Sequence, residues 1–314
     1  VVHDNDIRFV VIAARGTSDH AATYLKYLLE IVAGIPTALA APSVYTLYDA
    51  HLRLGNVLVI GISQSGQGAD IVQVLSSARS AGALTACITN NPSSPITDVS
   101  DHVLLCNARE ERAVAATKTY TTTLAVGALL VFTLADRRDL MDALLQVPDW
   151  MRSALGTDDQ IASSVDRYRY MSECAVLARG VNQATALEVA LKLMETSYVV
   201  AKPYSGADFM HGPVAMVHEG FPCFVFAPAG RAYPFMLETA LKLRERGAEL
   251  CAISNEPEMC SLGHFSFALP AGVHELVSPL VAVVPGQLLA YHLAVTRGGN
   301  PDRPRGLAKV TVTR

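Results

Sequence analysis

Apolar positions along the chain fall into two patterns, short continuous runs and helical stripes, and the two alternate. Val57–Ile62 is a short apolar run, β-branched in part, and predicts a strand buried on both faces, as in a parallel sheet. Ile71, Val72, Val74 and Leu75 then share one helical stripe that Ala78 extends. The same alternation holds on either side. Phe9–Ala14 predicts a first strand, followed by a helix from about Asp19 to Ala33 with Ser18 or Asp19 as its cap. Further strands are expected at Thr37–Ala40, Thr85–Thr89 and Val103–Cys106, a loop at Asn90–Pro95, and a long helix at Ala116–Leu134. Strands alternating with helices predict an α/β fold, a parallel sheet with helices on both faces.

The pattern then recurs. Val11–Gly16 matches Ala175–Gly180, and Val57–Gly66 matches Phe221–Gly230, both at an offset of 164 residues. Thr85–Asn90 matches Leu250–Asn255 at an offset of 165, so one loop residue accounts for the slip. Two copies of one α/β domain are therefore expected, over residues 1–138 and 171–314, with a helical connector at 139–170. Pro148 and Gly156 are expected to break that connector into several helices.

Composition narrows the classes. The chain has 314 residues, 51% hydrophobic and 17% charged, which is ample material for two packed interiors. A formal net charge of −4 gives no reason to expect nucleic acid or an anionic membrane as partner. No apolar run is expected to be both long and uninterrupted enough to span a bilayer, and no signal peptide is visible. The six cysteines form no Cys-x-x-Cys pair and have no metal-ligand spacing. They are expected to be small buried residues of a cytoplasmic protein, and neither a metal nor a cofactor is expected. The chain opens at Val1 without a methionine, which leaves room for residues upstream.

Between the strand at 57–62 and its helix lies Ser63-Gln64-Ser65-Gly66-Gln67-Gly68. Such a turn aims backbone N–H groups and the positive end of a helix at one point, with hydroxyls beside it and no carboxylate before Asp70. That is chemistry suited to a phosphate. It is neither a Walker loop nor a dinucleotide fingerprint. The local sequence fits equally well a Ser/Gly turn whose hydroxyls merely cap the helix. The second copy has Gly180-Val181-Asn182 and Ala227-Pro228-Ala229 where the first has Gly16-Thr17-Ser18 and Ser63-Gln64-Ser65. The hydroxyls are gone and a proline removes one donor, so a single phosphate site is expected, in the first copy.

These residues resemble the SIS (sugar isomerase) domain in its tandem form, and most closely the isomerase half of the glutamine–fructose-6-phosphate aminotransferases. The matching stretches are Gly16-Thr17-Ser18, Gly61–Gly66, Val114–Lys118, Ala186–Tyr198, His211-Gly212-Pro213 and Pro304–Lys309, in the family's order over essentially the whole chain. The resemblance implies two flavodoxin-like three-layer sandwiches, each a mostly parallel sheet flanked by helices. It implies sugar-phosphate contacts from Thr17, Ser18, Ser63, Gln64 and Ser65, with Gly16, Gly68, Val114, Ala116 and Ala308 in the matched stretches around them. It implies Glu195 as the proton carrier, His211 as the ring-opening group, Lys309 at the carbonyl end of the substrate and Lys192 as a charge partner. It also implies a homodimer in which His211 serves the neighbouring subunit's site.

Read alone, Glu188, Lys192 and Glu195 form an i, i+4, i+7 ladder of the kind found on solvated helix faces. His211 is one of nine histidines, fixed by the Gly-Pro that follows it. The family's Ser-Gln-Ser-Gly-Glu-Thr loop ends here in Gln67-Gly68, and a serine common in its Val-Ala-Ser-Thr-Lys stretch is Ala116. Both departures bear on which sugar is bound rather than on the fold. Taken as near full length, the chain has no room for a glutaminase domain. The activity then implied is release of ammonia from glucosamine 6-phosphate to give fructose 6-phosphate. The alternatives are a synthase half using free ammonia, a fructosamine-phosphate deglycase, and a phosphosugar sensor without catalysis.

Overall fold

The computed structural model describes residues 6–308. Its contacts divide the chain into unit 1, which runs to Met141 and includes residues 306–308, and unit 2, Asp142–Arg305. In unit 1, the strands are β1 (Phe9–Ala13), β2 (Thr37–Leu39), β3 (Val57–Ile62), β4 (Leu84–Thr89) and β5 (His102–Leu105). The helices are α1 (Thr17–Val32), α2 (Ser43–Thr46), α3 (Ala69–Ser80), α4 (Pro95–Asp98) and α5 (Lys118–Leu134). All pairings are parallel, in the order β2-β1-β3-β4-β5. Every residue of β3 is buried, as its unbroken apolar run requires of a central strand. Ile71, Val74, Leu75 and Ala78 of α3 pack on it through Val57 and Val59, so the helical stripe and the strand share one core.

The helix α6 (Arg138–Leu155) follows, then α7 (Asp158–Ser164) and a 3-10 turn at Val165–Tyr168. Pro148 does not break the segment as expected; it lies inside α6, which ends just before Gly156. A proline inside a helix removes one i→i−4 bond, and the flanking turns of this 18-residue helix carry it through.

Unit 2 repeats the layout. Its strands are β6 (Glu173–Ala178), β7 (Val200–Ser205), β8 (Pro222–Phe226), β9 (Glu249–Ser254) and β10 (Phe265–Ala268), paired in parallel in the order β7-β6-β8-β9-β10. This is the unit 1 order with each strand replaced by its repeat, and β4 and β9 match at the 165-residue offset end for end. The helices are α8 (Gln183–Ser197), α9 (Gly206–Met210), α10 (Tyr233–Glu245), α11 (Pro257–Leu262) and α12 (Ser278–Thr296).

One expectation is corrected here. The segment Glu275–Thr296 is long and apolar enough to cross a membrane by length and composition. It is 72% buried within the protein, however, and packs along α8 as a core helix. Gly286 allows the approach, because a Cβ there would stand 2.3 Å from Val189 Cγ2.

Candidate functional site

In unit 1 the strand order reverses direction between β1 and β3, and ligands of open parallel sheets bind outside the carboxyl ends of strands at such a point. The register Ala13↔Gly61 places the two strand ends side by side, so the turns at 14–18 and 63–68 open at the same edge. The serines brace the second turn. Ser63 Oγ accepts from Gly66 N–H at 3.1 Å, and Ser65 Oγ accepts from Gln67 N–H at 3.3 Å. Neither caps α3, whose N-cap is Gly68 with no side-chain cap bond. Each hydroxyl still has its own O–H to donate. Among the described residues no acceptor lies in reach of the Gln64 and Ser65 N–H groups.

The turn depends on Gly66. Its φ is +68°, and a Cβ would stand 2.0 Å from Ser94 Oγ. Its carbonyl accepts from Ile96 N–H at 3.1 Å, which ties the turn to the start of α4.

The expected cap of α1 is also corrected. The helix starts at Thr17 with Gly16 as N-cap, φ +53° and no side-chain cap bond. Thr17 and Ser18 therefore lie in the first helical turn, half-buried, rather than ahead of it. Arg15 Nε donates to Asp70 Oδ2 at 2.7 Å, joining the turn after β1 to the first turn of α3. Asp70 is thereby buried with a partner rather than left as a naked charge beside the loop. Asp19, in the same first turn of α1, has its carboxyl pushed up by burial, with His20 and Arg15 opposing.

Val114 and Ala116 are half-buried in the segment before α5. Two side chains organise that segment. Asn90 N–H donates to Gln64 O at 3.1 Å, while its amide donates to Arg109 O at 2.7 Å and accepts from Ala108 N–H at 2.8 Å. Buried Glu111 accepts from Thr117 N–H at 3.2 Å and from Thr119 N–H and Oγ1 at 2.9 and 2.8 Å. A carboxylate there suits the positive end of α5.

In unit 2 the ladder is not a solvated face. The Glu188 and Lys192 side chains are 0% and 2% exposed, while Glu195 is 24% exposed. Lys192 Nζ lies 2.6 Å from Glu195 Oε2 and 3.4 Å from Glu188 Oε1. Burial works against the Lys192 ammonium, but the two carboxylates outweigh it and hold its pKa above the ordinary lysine value. A buried ammonium thus orients a carboxylate that still reaches solvent. Arg297 Nη1 donates to Ser197 O at 2.6 Å, and Nη2 donates to Met171 O, which fixes the C-terminal end of α8.

His211 follows α9 and is exposed, with its N–H on Asp208 O at 3.2 Å. Ala308 is exposed at the end of the described residues, and Lys309 lies outside them. The turn of unit 2 that repeats 63–68 is already filled. Ala229 N–H donates to Asn255 Oδ1 at 2.7 Å and Ala232 N–H to Glu275 Oε1 at 3.2 Å. Among the described residues no three His, Cys, Asp or Glu side chains gather as a metal site.

The sequence reading missed Arg15, Asn90, Glu111 and Arg297. The partners of Arg15, Asn90 and Arg297 are distant in sequence, 126 residues for the Arg297 bond to Met171, and no local spacing signals them, whereas Glu111 is held by Thr117 and Thr119 only six and eight residues on.

A model of the SIS domain matches residues 6–133 and 172–297. The chain is 36% identical over 313 residues to a glutamine–fructose-6-phosphate aminotransferase of Thermococcus kodakarensis, covering 96% of this chain and 52% of that one. It is 38% identical over 311 residues to the like-named protein of Methanothermobacter thermautotrophicus, covering 98% and 52%. The chain therefore spans about half the length of the curated relatives it matches. The crystallised C-terminal domain of a glucosamine-fructose-6-phosphate aminotransferase from Francisella tularensis superposes with a TM-score of 0.88 at 28% identity, covering 95% of this chain and 88% of that one.

Proposed function

The chain belongs to the SIS-domain family, and from that premise we propose that it isomerises an amino-sugar phosphate, converting glucosamine 6-phosphate and water to fructose 6-phosphate and ammonia. The observation that carries this reading is the buried Glu188–Lys192–Glu195 group on α8, with only Glu195 reaching solvent. Aldose–ketose isomerisation moves a proton from C2 to C1, and one carboxylate can lift and return it. Lys192 holds Glu195 by one oxygen and leaves the other for the substrate.

The phosphate is assigned to Ser63, Gln64 and Ser65 with Thr17 and Ser18, supported by the unpaired donors of that turn and the filled turn of unit 2. Gly16, Gly68, Val114, Ala116 and Ala308 complete the proposed substrate surround. His211 opens the ring, its neutral imidazole exchanging protons with the ring oxygen and the hydroxyl near pH 7. Lys309 binds the carbonyl end. The functional species is a homodimer of a cytoplasmic protein, with His211 serving the partner's site; six free cysteines suit a reducing compartment.

A second reading has its own support. Identity of 36–38% over nearly the whole chain to aminotransferases favours the isomerase half of such an enzyme, run from fructose 6-phosphate and ammonia. Incubation with a panel of amino-sugar phosphates, reading ammonia and ketose phosphate in both directions, separates the two. Ammonia release from glucosamine 6-phosphate supports the first. Amination of fructose 6-phosphate without measurable release supports the second, and turnover of neither rejects both.

A further inference from the structure

Arg15 stands where two turns of unit 1 meet, and only one edge of its guanidinium is used. Nε donates to Asp70 Oδ2 at 2.7 Å, and the arginine side chain is 54% exposed although its partner is 3% exposed. Asp70 is fixed in turn, its Oδ1 accepting from Ile71 N–H at 3.0 Å. Among the described residues neither Nη group of Arg15 has a hydrogen-bond partner, so the outer edge of the fork keeps its donors.

The pair lies beside the serine turn. The register Ala13↔Gly61 brings Arg15 and Ser63, each two residues beyond its strand position, to the same sheet edge. A Cβ at Gly68 would stand 3.5 Å from Asp70 Oδ1 and 4.0 Å from Ser63 Oγ, so the carboxylate and the hydroxyl flank one open position. Arg15 also acts on the first turn of α1, where with His20 it opposes the burial that pushes the Asp19 carboxyl up. Without this guanidinium an anion at the turn would face the Asp70 carboxylate alone.

We propose that Arg15 is a specificity-determining residue of this turn: Asp70 anchors Nε, and the Nη groups donate to phosphate oxygens and favour a dianionic phosphate ester over a singly charged one. The inference rests on the assignment of the phosphate to residues 63–65.

The test uses sorbitol 6-phosphate and sorbitol 6-sulfate, which have no carbonyl to turn over, titrated calorimetrically at pH 8. There the phosphate ester is a dianion and the sulfate ester a monoanion. Arg15→Met alone strands a buried charge, so the comparison is Asp70→Asn, which keeps an acceptor for Nε, against Arg15→Met/Asp70→Asn, which removes the ion pair as a unit. The double variant is expected to bind the phosphate ester about 10–100-fold more weakly than Asp70→Asn. Its preference for phosphate over sulfate is expected to shrink about fivefold. If Asp70→Asn and the double variant bind the phosphate ester alike while the parent protein binds it, the phosphate assignment stands and the role of Arg15 is overturned. An equal fall for both esters overturns the discrimination given to Arg15. If the parent protein binds neither ester, the phosphate assignment fails and the proposal falls with it.

Discussion

Replacing Glu195 with glutamine keeps the shape of the side chain and removes its capacity to accept a C–H proton. General-base removal costs about 10²–10⁴ in rate, equivalent to about 3–5 kcal/mol on the barrier. The structural cost is smaller. Lys192 loses a charged acceptor at 2.6 Å but keeps Glu188 at 3.4 Å, and the new amide oxygen can still accept from Nζ. Losing the charge on one side of such a bond is worth about 1 kcal/mol, since Glu195 is partly solvated. The expected result is therefore a folded protein, melting within a few degrees of the parent, that binds sugar phosphate with a similar Kd. Its turnover falls by two to four orders of magnitude. Calorimetric titration, thermal melting and a coupled ketose-phosphate assay read the three quantities. Near-normal turnover would refute the assignment and reduce the α8 group to a buried structural ion pair. Loss of Kd and turnover together would instead mean that Glu195 binds substrate rather than moving its proton.

The remaining expectations concern stability and access. Gly66→Ala combines a left-handed φ with a contact at 2.0 Å, whereas Gly34 shares the φ (+66°) with nothing within 4 Å, so Gly66→Ala should lower the melting temperature further and alone abolish protection by phosphate. Equal effects of the two substitutions would count against the built turn. Because the Lys192 pKa is raised in the folded state, its stabilising effect should be fully present below the ordinary lysine value of 10.5 and be lost as pH rises through the folded value. Urea midpoints of the parent and Lys192→Met should thus differ by a constant amount from pH 6 to 9, and convergence within that window would contradict the buried group. Burial pushes the Cys223 thiol up to about 12, and Cys87, Cys106, Cys174 and Cys251 are buried with it. A thiol reagent should label Cys260 alone in the native protein and all six cysteines in denaturant; rapid native labelling of Cys223 would oppose the packing described.

The fold was legible in the sequence because both of its signals are local and doubled. An apolar run such as Val57–Ile62 specifies a buried strand by itself, and its recurrence at Phe221–Phe226 specifies the second sheet. The ladder on α8 was legible as a spacing and misleading as an environment. Periodicity brought Glu188, Lys192 and Glu195 to one face, but only the tertiary packing of α8 puts Glu188 and Lys192 inside the protein. Two of the overlooked side chains, Arg15 and Asn90, share one cause. Arg15 finds Asp70 and Asn90 finds Arg109 across the sheet edge, and such pairings follow from topology, not from neighbouring residues. Tyr198 was visible only as the last residue of a matching stretch, since a left-handed backbone at a tyrosine leaves no trace in composition.

The central claim is that Glu195 carries a proton between C2 and C1 of a hexose phosphate, and exchange with solvent tests it most directly. Fructose 6-phosphate is incubated with the protein in D2O and the C1 protons are followed by NMR. A single carboxylate that lifts and returns the proton exchanges it with solvent between the two events. The account predicts deuterium at C1 with the parent protein and at least a hundredfold slower incorporation with Glu195→Gln. Equal incorporation by the two proteins, or none by the parent with either fructose 6-phosphate or glucosamine 6-phosphate, would contradict it.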